Sequence, residues 1–75
     1  MMQAKNAGAN IRKTRREKDM TQAQLAAATG YSVSEISLIE RGRRKVPLER
    51  ITAIGEALGL GSPLELFFDP DFLFL

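Results

Sequence analysis

TQAQLAAATGYSVSEISLIER, residues 21–41, decides how this chain folds. Thr21 is an N-cap residue type, and Gln24 three positions on completes a capping-box pattern that opens a short helix. Leu25, Ala26, Ala28 and Thr29 carry that helix to Gly30. Glycine takes a left-handed backbone without steric cost and so suits a helix end. Ser32 and Glu35 repeat the capping-box pattern and open a second helix at Val33. Ile36 and Ile39 are three apart and share a face, and Gly42 ends this helix after Glu40 and Arg41.

The spacing within the stretch carries the most information. Counted from Gln22, Ala26 lies four residues on, Gly30 eight, Ile36 fourteen and Ile39 seventeen. A helix-turn-helix needs a small residue where its helices cross, a turn glycine between them and apolar residues on the inner face of the second helix. All three requirements are met in register. The pattern Thr21-Gln22, Leu25-Ala26, Gly30, Ser32, Ile39-Glu40-Arg41-Gly42 resembles the Cro/C1-type (phage repressor-like, XRE family) helix-turn-helix. The resemblance covers roughly residues 7–68. It implies an all-α, compact, five-helix lambda-repressor-like DNA-binding domain and a sequence-specific transcriptional regulator.

Outward from this stretch, residues 1–6 read as a loosely held start. A first helix is expected from about Ala7 to Lys18, with Ala7, Ile11 and Arg15 on one face and Gly8 weakening it locally. Arg12, Lys13, Arg16 and Lys18 point mostly elsewhere, toward solvent or phosphate. Asp19 and Met20 link to the second helix. After the basic loop Gly42–Val46, Pro47 suits a first helical position, and Leu48, Ile51, Ile54 (or Gly55) and Leu58 recur every three to four residues. This predicts a fourth helix over about 47–58, with Gly59 as its C-cap. Ser62, Pro63 and Glu65 then open a short fifth helix ending near Phe68, broken by Asp69-Pro70. The tail, residues 69–75, is apolar. It folds back on its own core, pairs as a strand with a neighbour, or packs against a second subunit, and the last is favoured. Leu64, Phe67, Phe68, Phe72, Leu73 and Phe74 are the expected dimer contact.

At 75 residues the chain has room for one small domain. It has no Cys and no His, which removes disulfides, thiolate metal sites and the commonest general base. No cofactor, metal site or enzymatic activity is expected. Export signals and membrane-length apolar runs are absent, and together with the family resemblance this makes a bacterial or phage-infected cytoplasm, in association with the nucleoid, the expected location. Net charge is +2, but residues 1–45 hold ten Lys/Arg against four Asp/Glu, whereas residues 46–75 hold one against five. One basic and one acidic half suggest that the first half meets a polyanion.

The outward positions of the second helix of the pair are Val33, Ser34, Ser37 and Leu38, the expected base contacts. Two are apolar and suit a thymine methyl rather than a bidentate hydrogen bond; for Val33 and Leu38 the alternative is burial against neighbouring helices. Expected phosphate contacts are Thr21, Gln22, Ser32, Arg15, Arg41, Arg43, Arg44 and Lys45. Gln22 leads them, because the family uses the matching Gln in this way. The resemblance also implies an Arg15–Glu40 ion pair, mainly structural, joining the first helix to the end of the recognition helix. One recognition helix covers few base pairs, so a homodimer on palindromic double-stranded DNA is expected, acting as a repressor. The alternatives are an antitoxin that binds operator DNA and, through its tail, a partner protein, or a protein-interaction module without DNA.

Overall fold

A computed structural model describes residues 7–60 of the chain. Four α-helices occupy them: α1 (Ala7–Glu17), α2 (Gln22–Thr29), α3 (Val33–Glu40) and α4 (Leu48–Ala57). The described residues contain no strand. The all-helical architecture is therefore as expected, with four helices rather than five among the described residues. The expected fifth helix and apolar tail, with Leu64, Phe67, Phe68, Phe72, Leu73 and Phe74, lie outside them.

Local chemistry sets the helix ends. Thr21 Oγ1 accepts from the Gln24 backbone N–H at 3.0 Å, and Gln24 Oε1 accepts from the Thr21 N–H at 2.8 Å. The same reciprocal pair joins Ser32 and Glu35 at the start of α3. Gly30 closes α2 at φ 79°, its N–H bonded to the Ala26 carbonyl. α1 ends differently. Asp19 takes φ 55°, where glycine is the usual choice, and the N–H groups of Asp19 and Met20 return to the carbonyls of Arg16 and Arg15. This is a Schellman closure built without glycine. Pro47 is the N-cap of α4 rather than its first residue: it is extended at ψ 143°, has no side-chain cap bond, and the helix begins at Leu48.

Ile11, Leu25, Ala26, Ile36, Ile39, Ile51, Ile54 and Leu58 form one core, with Met20, Tyr31, Val46, Ala57 and Leu60 packed around it. α3 contributes Ile36 and Ile39, three apart, and Ile51, Ile54 and Leu58 recur at three and four along and just past α4, as the sequence pattern requires. α4 packs on α2, α2 on α3, and α1 on α3. Buried Thr29 turns its hydroxyl back to the Leu25 carbonyl at 2.8 Å, which removes the cost of an unpaired polar group in the core. Arg50 of α4 reaches the turn between α2 and α3, where it donates to the Thr29 carbonyl at 3.3 Å and lies 5.0 Å over the Tyr31 ring.

Gly8 weakens the helical signal of α1 because it serves packing instead. A Cβ built there would overlap the carbonyl oxygen of Ile39, so α1 crosses the C-terminal end of α3 backbone to backbone. Gly8→Ala gains roughly 1 kcal/mol of helix propensity but forces the two helices apart. A net loss of roughly 1–3 kcal/mol is expected in urea denaturation. A stabilised Gly8→Ala variant would contradict this crossing.

Candidate nucleic-acid interface

The close crossing of α1 and α3 brings Arg15 to Glu40. Both are buried, at 8% and 5% exposure. Arg15 Nε donates to Glu40 Oε2 at 2.6 Å and Nη2 to Oε1 at 3.0 Å, a bidentate pair. Its third nitrogen, Nη1, donates to the Met20 carbonyl at 2.7 Å. The Schellman closure of α1 turns that carbonyl toward the guanidinium. Glu40 Oε1 also accepts from Gln22 Nε2 at 3.1 Å. Arg15, Gln22 and Glu40 thus join α1, the first residue of α2 and the last residue of α3 in one network. Among the described residues no buried side-chain polar atom is left without a partner.

Burial opposes ionisation of Glu40, but the Arg15 and Gln22 hydrogen bonds and the charges of Arg15 and Arg12 outweigh it and hold the carboxyl below the usual range. The hydrogen bond to Glu40 raises the Arg15 guanidinium in turn, against the cost of its burial.

Gln22 keeps one amide N–H beyond the one given to Glu40. It stands at the start of α2, where its backbone N–H and that of Ala23 precede the first intrahelical bond. Its side chain is thereby aimed by Glu40 while the head of α2 stays open. Thr21 and Ser32 are exposed and their hydroxyls are engaged as caps.

On α3, Ile36 and Ile39 face inward at 1% exposure each. Val33 and Ser34 are exposed, and Ser37 and Leu38 are half-buried. Val33, at 47%, is the one exposed large hydrophobic among the described residues. The four residues therefore share the outer side of one helix, with Val33 exposed and Leu38 partly covered. In the loop after α3, Arg41 Nε donates to the Ser37 carbonyl at 3.3 Å, and Arg44 lies 3.1 Å from Glu35 Oε2. The Ser32 backbone N–H, with Arg44 and Arg50, keeps Glu35 below the ordinary carboxylate range. Arg43 and Lys45 are exposed.

A helix that presents neutral side chains outward, between the open head of α2 and a basic loop, matches the geometry of a helix-turn-helix. The family model described as Helix-turn-helix matches residues 11–66. The chain belongs to the Cro/C1-type helix-turn-helix family of DNA-binding transcription regulators. Within this family it is 40% identical over 74 residues to an uncharacterized HTH-type transcriptional regulator of Mycobacterium tuberculosis, covering 93% of this chain. The chain spans only 29% of that relative's length. It is 37% identical to the uncharacterized HTH-type transcriptional regulator y4dJ of Sinorhizobium fredii, covering 89% of this chain and 86% of y4dJ. Among solved structures, this helix-turn-helix chain is similar to the restriction-modification controller protein C.AhdI from Aeromonas hydrophila, with TM-score 0.77 and 35% identity over 83% of this chain and 92% of that one. It is also similar to the P22 c2 repressor in complex with a synthetic operator, with TM-score 0.75 and 33% identity over 81% and 91%. No helix among the described residues is long and apolar enough to cross a membrane.

Sequence reasoning did not anticipate three contacts of this helix-turn-helix: Gln22 to Glu40, Arg44 to Glu35, and Arg50 to Tyr31. Each joins side chains from different elements, and no local pattern announces them. The Glu40 contacts carry a pH consequence. Its folded pKa lies below the unfolded value of about 4.3, so between the two the unfolded chain binds more protons and stability rises with pH. The contribution is complete above the unfolded value and disappears as pH falls through the folded one. A Glu40→Gln variant is expected to be less stable than the parent at pH 7, with a flatter loss of stability below about pH 4.3. Denaturant titrations across that range test this, and parallel pH profiles for the two proteins would contradict it.

Proposed function

We propose that this protein is a sequence-specific transcriptional repressor that binds palindromic double-stranded DNA as a homodimer, with α3 in the major groove. The observation that carries the reading is the outward face of α3, flanked by the head of α2 and the loop Arg41–Lys45. Val33, Ser34, Ser37 and Leu38 meet base edges. Gln22, with Thr21 and the first N–H groups of α2, meets a phosphate, as do Ser32, Arg41, Arg43, Arg44 and Lys45. Arg15 contributes mainly by holding Glu40 and Gln22 in place, with a secondary phosphate role. Family membership supports DNA as the partner, and the similarity to the P22 c2 repressor, solved with a synthetic operator, supports the docking mode. Dimerisation is proposed through Leu64, Phe67, Phe68, Phe72, Leu73 and Phe74, because one helix reads too few base pairs for a specific site.

Val33 and Leu38 cannot form the bidentate hydrogen bonds that read guanine or adenine, but they can contact thymine methyls. Direct readout is therefore modest and much of the affinity comes from phosphates. Selection of bound duplexes from a random pool is expected to return two half-sites about one helical turn apart, with T enriched at the steps facing Val33 and Leu38. A guanine-rich core without T preference, or a single unpaired half-site, would contradict the proposal.

A further inference from the structure

An open cleft of about 420 Å³ lies beside Glu40, lined by Ala9, Arg12, Lys13, Arg16, Glu17 and Glu40. Four of these residues, at 9, 12, 13 and 16, follow the i, i+3, i+4, i+7 spacing that places side chains in one stripe along a helix. The stripe belongs to α1. Arg12, Lys13 and Arg16 are all exposed. Arg12 and Arg16 are four apart and Lys13 and Arg16 three apart, so their like charges repel on the isolated helix. An anion laid along the stripe removes that repulsion.

Glu40 connects this cleft to the proposed DNA-binding surface. It forms a wall of the cleft, and it holds Gln22 at the head of α2. The Arg12 charge reaches the same carboxylate and favours its ionised form. The cations of α1 and the amide of Gln22 are therefore arranged around one fixed group.

We propose that Arg12, Lys13 and Arg16 form a second phosphate-binding track, which continues the contact of the α2 head along the DNA backbone. The inference rests on the DNA-binding reading above. The charge spacing favours a polyanion over a small free anion. From Arg12 to Arg16 the helix advances about 6 Å, and the long side chains of Arg and Lys widen the reach of their charged ends, so the stripe can face neighbouring phosphates of one strand. A single small anion in an open, solvated cleft is screened, whereas a polyanion gains affinity by counterion release.

The test measures duplex affinity against salt for the full chain and for Arg12→Gln, Lys13→Gln and Arg16→Gln, singly and together. Lys18→Gln is the charge-matched control. Lys18 does not line the cleft, and its ammonium lies 3.4 Å from the position a Cβ would take at Gly59, past the end of α4. Each substitution on the stripe is expected to reduce the salt slope by about 0.9, equally on the selected site and on random duplex. The triple variant is then expected to lose roughly 40-fold less affinity than the parent between about 50 and about 200 mM salt. Lys18→Gln leaves the slope unchanged, and all four variants, altered at exposed positions, remain folded at the assay temperature. A parent that binds duplex with a steep slope while the triple variant keeps that slope overturns the track and leaves the DNA-binding reading standing. An equal effect of Lys18→Gln also overturns it, because net charge alone is then responsible. A parent that binds no duplex at the lower salt overturns both.

Discussion

The bidentate contact of Arg15 with Glu40 is the interaction on which the rest of this domain depends. A buried ion pair is costly to form, because both charges leave water, and it is tolerated where every remaining donor and acceptor is satisfied. Here each nitrogen of the Arg15 guanidinium has a partner, and Glu40 receives a third hydrogen bond from Gln22. The backbone geometry around the pair serves the same end. Gly8 lets α1 approach the last turn of α3, and the Schellman closure at Asp19 turns the Met20 carbonyl inward. The ion pair therefore works as a joint. It fixes the C-terminal end of α3 relative to α1 and sets the side chain at the head of α2.

The N-terminal end of α3 is held by different means. Ser32 caps it, Glu35 closes the capping box and meets Arg44, and Arg50 fastens the preceding turn to α4 through Thr29 and Tyr31. α3 carries two acidic residues, Glu35 and Glu40, and each is paired with an arginine from outside the helix. The helix thus presents a nearly neutral outer face. That condition suits the proposed role of this surface, which is to approach a polyanion while offering only hydroxyls and apolar groups to the bases. It also explains how a chain of small net charge keeps its cations on the elements around α3 rather than on it.

Much of this was legible in the sequence because it is local. The capping boxes at Thr21 and Ser32 depend on residues three apart, and the left-handed turn at Gly30 depends on one glycine. The inward and outward faces of α1 and α3 follow from helical periodicity alone, including the inward placement of Arg15. Arg15 and Glu40 are twenty-five positions apart, and their pairing entered only through the family resemblance. Two helix ends carry features the residue types do not announce: α1 stops within one residue of the expected end, with Asp19 in a left-handed position usually signalled by glycine, and Pro47 caps α4 instead of opening it. The contacts of Gln22, Arg44 and Arg50 follow from tertiary packing and leave no periodic trace.

The most direct test of this account is a double-mutant cycle between Arg15 and Glu40, using Arg15→Met and Glu40→Leu, read by chemical denaturation at neutral pH. If the pair is the joint, either single replacement strands a buried charge and destabilises the domain by roughly 3–5 kcal/mol. The double variant, which strands neither, is then expected to be clearly more stable than the sum of the two losses allows. Additive losses would contradict the account, because the two residues would then be contributing independently.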